Sequence, residues 1–171
     1  MMDKVMILDK NHAVLSIELF DEFCSEQLGL GSALHVVVEY SNNLGLIKET
    51  EEMQKTDELK EKIHHILLAK KYPHKEDPMI ELDQVARVLY WLQKNGVPCL
   101  GHLKHRIILP CFRENSPLLP EFYRVVEAVK GELGSELGYG RKRKQFLPQK
   151  KRAAYAAAKS EYDPQNVLNP G

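Results

Sequence analysis

Adjacent histidines, scattered thiols and a run of basic residues are the side chains here whose types and spacing could do chemistry. His64 and His65 fall in a stretch of helical periodicity, where neighbours project about 100° apart. They cannot chelate one ion together and read as a solvated helix edge. Cys24, Cys99 and Cys111 are odd in number and widely spaced. Without a CxxC pair they suit neither a zinc ribbon nor a thioredoxin-like centre, and they read as buried or free thiols of a reducing compartment. Arg141-Lys-Arg-Lys144 and Lys150-Lys-Arg152, with Phe146 and Tyr155 for stacking, have the chemistry of a nucleic-acid surface. No nucleic-acid motif frames them. A solvated or partner-facing patch is the leading reading, with contact to an anionic cofactor or substrate, or to nucleic acid, as alternatives.

Whole-chain properties set the frame for these groups. The 171 residues are 43% hydrophobic and 28% charged, enough for one sizeable core without disulfides or metal. Lys plus Arg and Asp plus Glu both number 24, so net charge implies no polyanionic partner. The distribution is uneven: residues 49–61 are mainly acidic, while 141–159 hold eight Lys or Arg and no acid. No apolar run approaches the ~18 residues of a membrane span, and Met1–Lys10 lacks the apolar region of a signal peptide. A soluble, cytoplasmic protein is expected.

The positioning elements follow from periodicity. Val14–Phe20 and Leu34–Tyr40 read as strands. Asp21 is placed to cap a short helix to about Leu28, ended by Gly29-Leu-Gly31, and Ser41–Gly45 is turn chemistry. Leu59, Ile63, Ile66, Leu67 and Lys70 mark one face of a helix over about 51–71. Pro73 and Pro78 bracket a loop, Met79–Leu82 reads as a short strand, and Asp83 as the cap of a helix stopping at Gly96. Val97–Phe112 reads as two strands, or one long bent strand, crossing a polar point. Ser116-Pro117 opens a helix that Gly134 ends, and Pro148 starts an Ala-rich helix to about Tyr162, followed by an extended tail. Several connections are too short for parallel crossovers. The expected fold is α+β, an antiparallel or mixed β-sheet with helices packed on it.

The closing stretch, Lys159-Ser-Glu-Tyr-Asp-Pro-Gln-Asn-Val-Leu-Asn-Pro-Gly171, resembles the final motif of FAD-linked oxidases of the glycolate oxidase and D-lactate dehydrogenase type, in the vanillyl-alcohol oxidase superfamily. Leu15–Asp21 is similar to that family's "A-I-E-L-L-D" strand and Leu34–Tyr40 to its "L-L-V-E-F" strand. Gly101-His102 followed by Ile107–Pro110 resembles its "GH-x-x-x-G-x-x-H" segment, and Gly134–Gly140 stands where the family has "G-E-H-G-I-G". The resemblance covers nearly the whole chain. It implies a ferredoxin-like, substrate-side cap domain over 1–147, with 148–171 as a helix and tail returning toward the flavin domain and Asn169 at the cofactor. The family's Gly/Ser-rich pyrophosphate loop has no counterpart here, so FAD would come from a separate domain or subunit.

The resemblance also implies a site. His102 matches the first metal-binding histidine and Glu136 the metal-binding glutamate of members that place a divalent cation beside a small 2-hydroxy acid. Leu109 stands at the second histidine and Leu137 at the general base, and leucine neither coordinates nor takes a proton. The family's "W-x-x-R" arginine has no match in Ile63-His-His-Ile66. His105 is the substitute ligand within reach of His102. On a strand, three residues apart, the two would face opposite sides; a loop at 103–105 would remove that objection. The readings carried forward are a component of an FAD-dependent 2-hydroxy-acid dehydrogenase or oxidase, inactive alone, and a non-catalytic interaction protein keeping the cap fold. Nucleic-acid binding through 141–152 is a third.

Overall fold

Val14–Phe20 forms a strand, β1, and its two faces divide the core. Ile17 and Leu19 enter one apolar cluster and Phe20 a second, because successive side chains on a pleated strand point to opposite sides. The computed structural model describes residues 1–41, 51–134, 146–147 and 149–168. Among them the fold is α+β, with helices packed against one antiparallel sheet. The remaining strands are His35–Tyr40 (β2), His74–Lys75 (β3), Cys99–His102 (β4) and Ile107–Phe112 (β5), in the spatial order β2-β1-β4-β5-β3. Every neighbouring pair is antiparallel.

Helices cover both sides. Met2–Asp9 (α1), Leu82–Lys94 (α4) and Leu119–Ala128 (α5) supply Val5, Val85, Val88, Leu92, Phe122 and Val126 to the first cluster. Glu22–Leu28 (α2) and Glu51–Ala69 (α3) supply Cys24, Leu28, Ile63 and Leu67 to the second. Since β3 and β4 both run antiparallel to β5, they point the same way with β5 between them. The connection through α4 is therefore a split β-α-β unit.

The cap of α2 forms as its sequence predicts. Asp21 accepts from the Cys24 backbone N–H at 2.8 Å, and Gly29 closes the helix at φ 79°, where glycine meets no steric penalty. The same carboxylate reaches across to accept from the Cys99 N–H at 2.8 Å, so one side chain caps a helix and holds the start of β4.

Several boundaries differ from expectation. The N-terminal helix α1 carries no sequence signal; it forms where Val5 is buried and the helix lies against α4 and β1. Instead of a strand over 79–82, Met79 makes single bridges to Ile107 and to Glu132, and Leu82 already begins α4. Asp83 is not the cap: Glu81 occupies that place without a side-chain hydrogen bond, and Asp83 lies in the first turn, where the helix dipole favours an acid. The helix expected to run to Gly134 stops at Ala128, because Lys130 turns into the left-handed region at φ 57° and frees Glu132 to pair with Met79. The loop between the prolines contains β3. The stretch from Val97 resolves into two strands, β4 and β5, joined by a 3-10 turn over Leu103–His105.

The tail over 163–168 is hooked rather than extended. After the helix Gln149–Tyr162 (α6), the Asp163 carboxylate accepts from the backbone N–H groups of Val167 at 2.8 Å and Leu168 at 3.0 Å. Lys159 donates to both Asp163 and the Leu168 carbonyl. Asp is a strong former of such local turns, and Asn166 supplies the φ of 53° that reverses the chain.

Asp21→Ala is expected to destabilise the protein by roughly 1–3 kcal/mol, since it removes a cap and orphans a buried N–H; a lowered urea midpoint with unchanged slope is the readout. The Lys159 hydrogen bond, aided by the two backbone donors, holds the Asp163 carboxyl below its ordinary 3.8. A depressed carboxyl stabilises the hook above that value and loses it as pH falls through the lowered range. Amide exchange of Val167 and Leu168 should therefore stay slow through pH 3.8 and become fast at neutral pH in Asp163→Ala.

Candidate functional site

The face of the sheet under α3 carries a charged residue where apolar ones dominate. Glu18 shares the parity of Phe20 on β1 and is only 6% exposed. Strand register sets it directly opposite His102 on β4, and Glu18 Oε2 lies 2.5 Å from His102 Nδ1. Opposed residues of an antiparallel pair meet in this way. The contact engages one ring nitrogen of His102 and leaves Nε2 for a ligand or a proton.

Helix α3 closes over this pair. Ile63 and Leu67 fix the helix in the second cluster, which sets Lys60, one turn earlier, above the sheet. Lys60 Nζ lies 3.7 Å from Glu18 Oε1 and 2.7 Å from Asp57 Oδ1. Burial pushes the Lys60 ammonium toward a lower pKa, but the Asp57 hydrogen bond and the charges of Glu18, Asp57 and Glu39 outweigh it, so the group sits above its usual value. One register step along the same face, Ser16 donates to Glu39 at 2.6 Å.

Between α3 and the sheet lies a cavity of about 400 Å³ walled by Glu18, Lys60, His64, Lys75, His102 and Leu109 among others. Two acids, Glu18 and Glu61, and two lysines, Lys60 and Lys75, stand in the wall, and the ion pairs are unevenly shared among them. Glu18 faces His102 and Lys60, while Glu61 faces His65 at 3.8 Å. Among the described residues, no acid forms an ion pair with Lys75 or His64. His64 lies below its ordinary pKa because burial penalises its charged form and Lys75 and His65 repel it.

Neither a family model nor a curated protein matches this chain.

Of the sequence-predicted site residues, His102 enters the cavity. His105 does not: it ends the 3-10 turn, exposed and outside the lining. Leu109 is buried in the second cluster beside the cavity. Glu136, Leu137, Asn169 and the run 141–145 lie outside the described residues. Among the described residues no group of three His, Cys, Asp or Glu could hold a metal ion. Of the neighbouring basic residues, Lys151 pairs with Glu132 and Arg152 donates to the Leu147 carbonyl. The thiols conform to expectation: all three are free and buried. Burial drives Cys24 and Cys99 far above the thiol range and Cys111 up to about 12, so none is a thiolate nucleophile near neutrality.

Glu18, Lys60 and Lys75 escaped the sequence reading as lining residues, and His64, read there as part of a solvated helix edge, belongs with them. For Glu18 a signal existed, an acid between Ile17 and Leu19 with the inward parity of Phe20. Both histidines of the adjacent pair border the cavity, His64 half-buried and His65 exposed at its rim.

Replacing Glu18 with Gln should cost roughly 1.5–3 kcal/mol, the range for charge-assisted hydrogen bonds, measured by urea denaturation at pH 7. Because Lys60 is raised above 10.5, its share of that stabilisation is complete at neutral pH, where its carboxylate partners are ionised, and on the alkaline side it fades only as pH climbs through the raised value.

Proposed function

We propose that the chain is the substrate-side part of an FAD-linked oxidoreductase acting on a small 2-hydroxy acid, with FAD supplied by a separate domain or subunit. The observation that carries this reading is the setting of His102. The histidine of the Gly101-His102 segment is clasped by a buried carboxylate on the wall of a cavity. The cavity also presents Lys75, a cation without an acidic ion-pair partner among the described residues. A carboxylate anion supplies the counter-charge that Lys75 lacks, and the Nε2 atom of His102 is placed to hold or accept the proton of a hydroxyl. Bound FAD would supply the hydride acceptor.

The described residues offer no phosphate-cradling glycine loop, so in this reading the cofactor rests on the partner. In this reading Lys75 anchors the substrate on the wall it shares with Glu18, His102 and Leu109. A second reading, an interaction protein that retains the fold without the chemistry, is favoured by Leu109, an inert side chain packed into the apolar cluster at a position the resemblance assigns to a histidine.

Equilibrium dialysis separates the two once a tagged chain is purified from its native cells. The chain alone should retain no FAD. The complex should carry flavin and reduce an artificial dye with D-lactate or glycolate, and His102→Ala should lower that rate by ~100-fold or more. Firm FAD binding by the isolated chain overturns the division of labour, and a flavin-free, inactive complex supports the interaction protein.

A further inference from the structure

We propose that the cavity beneath α3 is a proton-coupled anion seat, in which His64 takes up a proton from solvent as a carboxylate anion settles against Lys75. The inference rests on the reading of this cavity as a carboxylate site and adds to it a second cation that exists only when the site is filled.

The argument is one of charge placed around His64. From its own helix, His64 is faced by Lys60, Glu61 and His65; from the sheet, Glu18 on β1, His102 on β4 and Lys75 on β3 share the cavity wall. Glu18 is engaged by His102 and Lys60, while Glu61 lies on the exposed side of the helix, 3.8 Å from His65. With the cavity empty, partial burial and the repulsion of Lys75 and His65 prevail at His64, and all three favour neutral imidazole. An anion beside Lys75 reverses the sign of the nearest field. It screens the ammonium and gives the imidazolium a partner, so protonation and anion binding become mutually favourable by linkage. Lys75 is a permanent cation, and His64 is the group whose charge the ligand decides.

Oxalate is the probe, because it resembles the carboxylate end of a 2-hydroxy acid, needs no flavin and stays dianionic between about pH 5 and pH 8. Site-resolved NMR titration of the full chain should show the His64 midpoint rising by about one pH unit at saturating oxalate. One unit is about a tenfold coupling, so oxalate should bind about tenfold more tightly at the lower end of that pH range than at the upper. His64→Gln should keep binding and lose the pH dependence, His65→Gln should keep both, and Lys75→Met should weaken binding at every pH. A His64 midpoint that oxalate leaves unmoved, a pH dependence that survives His64→Gln, or no binding at tens of millimolar oxalate overturns the proposal. Failure to find a flavin-bearing partner would remove the enzymatic reading and leave these measurements standing.

Discussion

A carboxylate withdrawn from water between a strand and a helix is the interaction on which the rest of the arrangement depends. Glu18 is buried on β1, and its two oxygens meet different partners, one His102 on β4 and the other Lys60 on α3. An ionised side chain in that position is costly unless hydrogen-bonded and paired. The pairing joins β1 to β4 through side chains as well as backbone, and joins the sheet to the helix above it. The apolar contacts of Ile63 and Leu67 bring α3 down onto the sheet. With that face of the helix turned to the sheet, Lys60, one turn before Ile63, comes to lie over Glu18.

That constraint also makes the cavity. A helix sealed to the sheet by apolar residues alone would leave no polar wall. Here the apolar part of the seam, formed by Phe20, Ile63, Leu67, Leu100 and Leu109, gives way to Lys60, His64, Lys75 and His102. The dry region strengthens the electrostatic interactions at its margin. The opposite face has a polar point of its own, where the buried Glu76 carboxylate accepts from the Tyr123 hydroxyl at 2.9 Å and lies 2.7 Å from His74. The cluster there, from Val5 through Leu133, is apolar side chains from α1, α4 and α5, and it serves stability. The Asp21 carboxylate stands at the junction, capping α2 and holding β4 in place through Cys99, so that the strand bearing His102 is positioned from its first residue.

The C-terminal segment follows a different principle. Helix α6 buries none of its side chains, and the hook after it is held by Asp163 and Lys159 through local hydrogen bonds. Its order comes from short-range polar contacts, and Val167 and Leu168 are left exposed at 69% and 64%. A segment of this kind is organised before it meets anything, which lowers the conformational entropy lost on association.

Local chemistry was legible in the residues themselves. The alternation of Val14–Phe20, the cap at Asp21 with its terminating Gly29, the Ile63/Leu67 stripe of α3 and the burial of three thiols all follow from side-chain type and spacing, since each depends on neighbours within a turn or a pleat. The resemblance of the Gly101-His102 segment pointed to His102 in the same way. What no local pattern held was the partner of each group. That Glu18 meets His102 depends on the register of β1 against β4, 84 residues apart, and that Lys60 and His64 overhang them depends on how α3 rotates onto the sheet. The short bridges of Met79 and the early end of α5 have the same origin, because Glu132 and Ile107 become neighbours of Met79 only in the folded sheet. The sequence thus determined the inventory of charges and the elements with a strong local pattern, though not α1 or β3. Tertiary structure decided which charges oppose one another, because long-range register and helix rotation are set by the burial of the whole core and by no single stretch of chain.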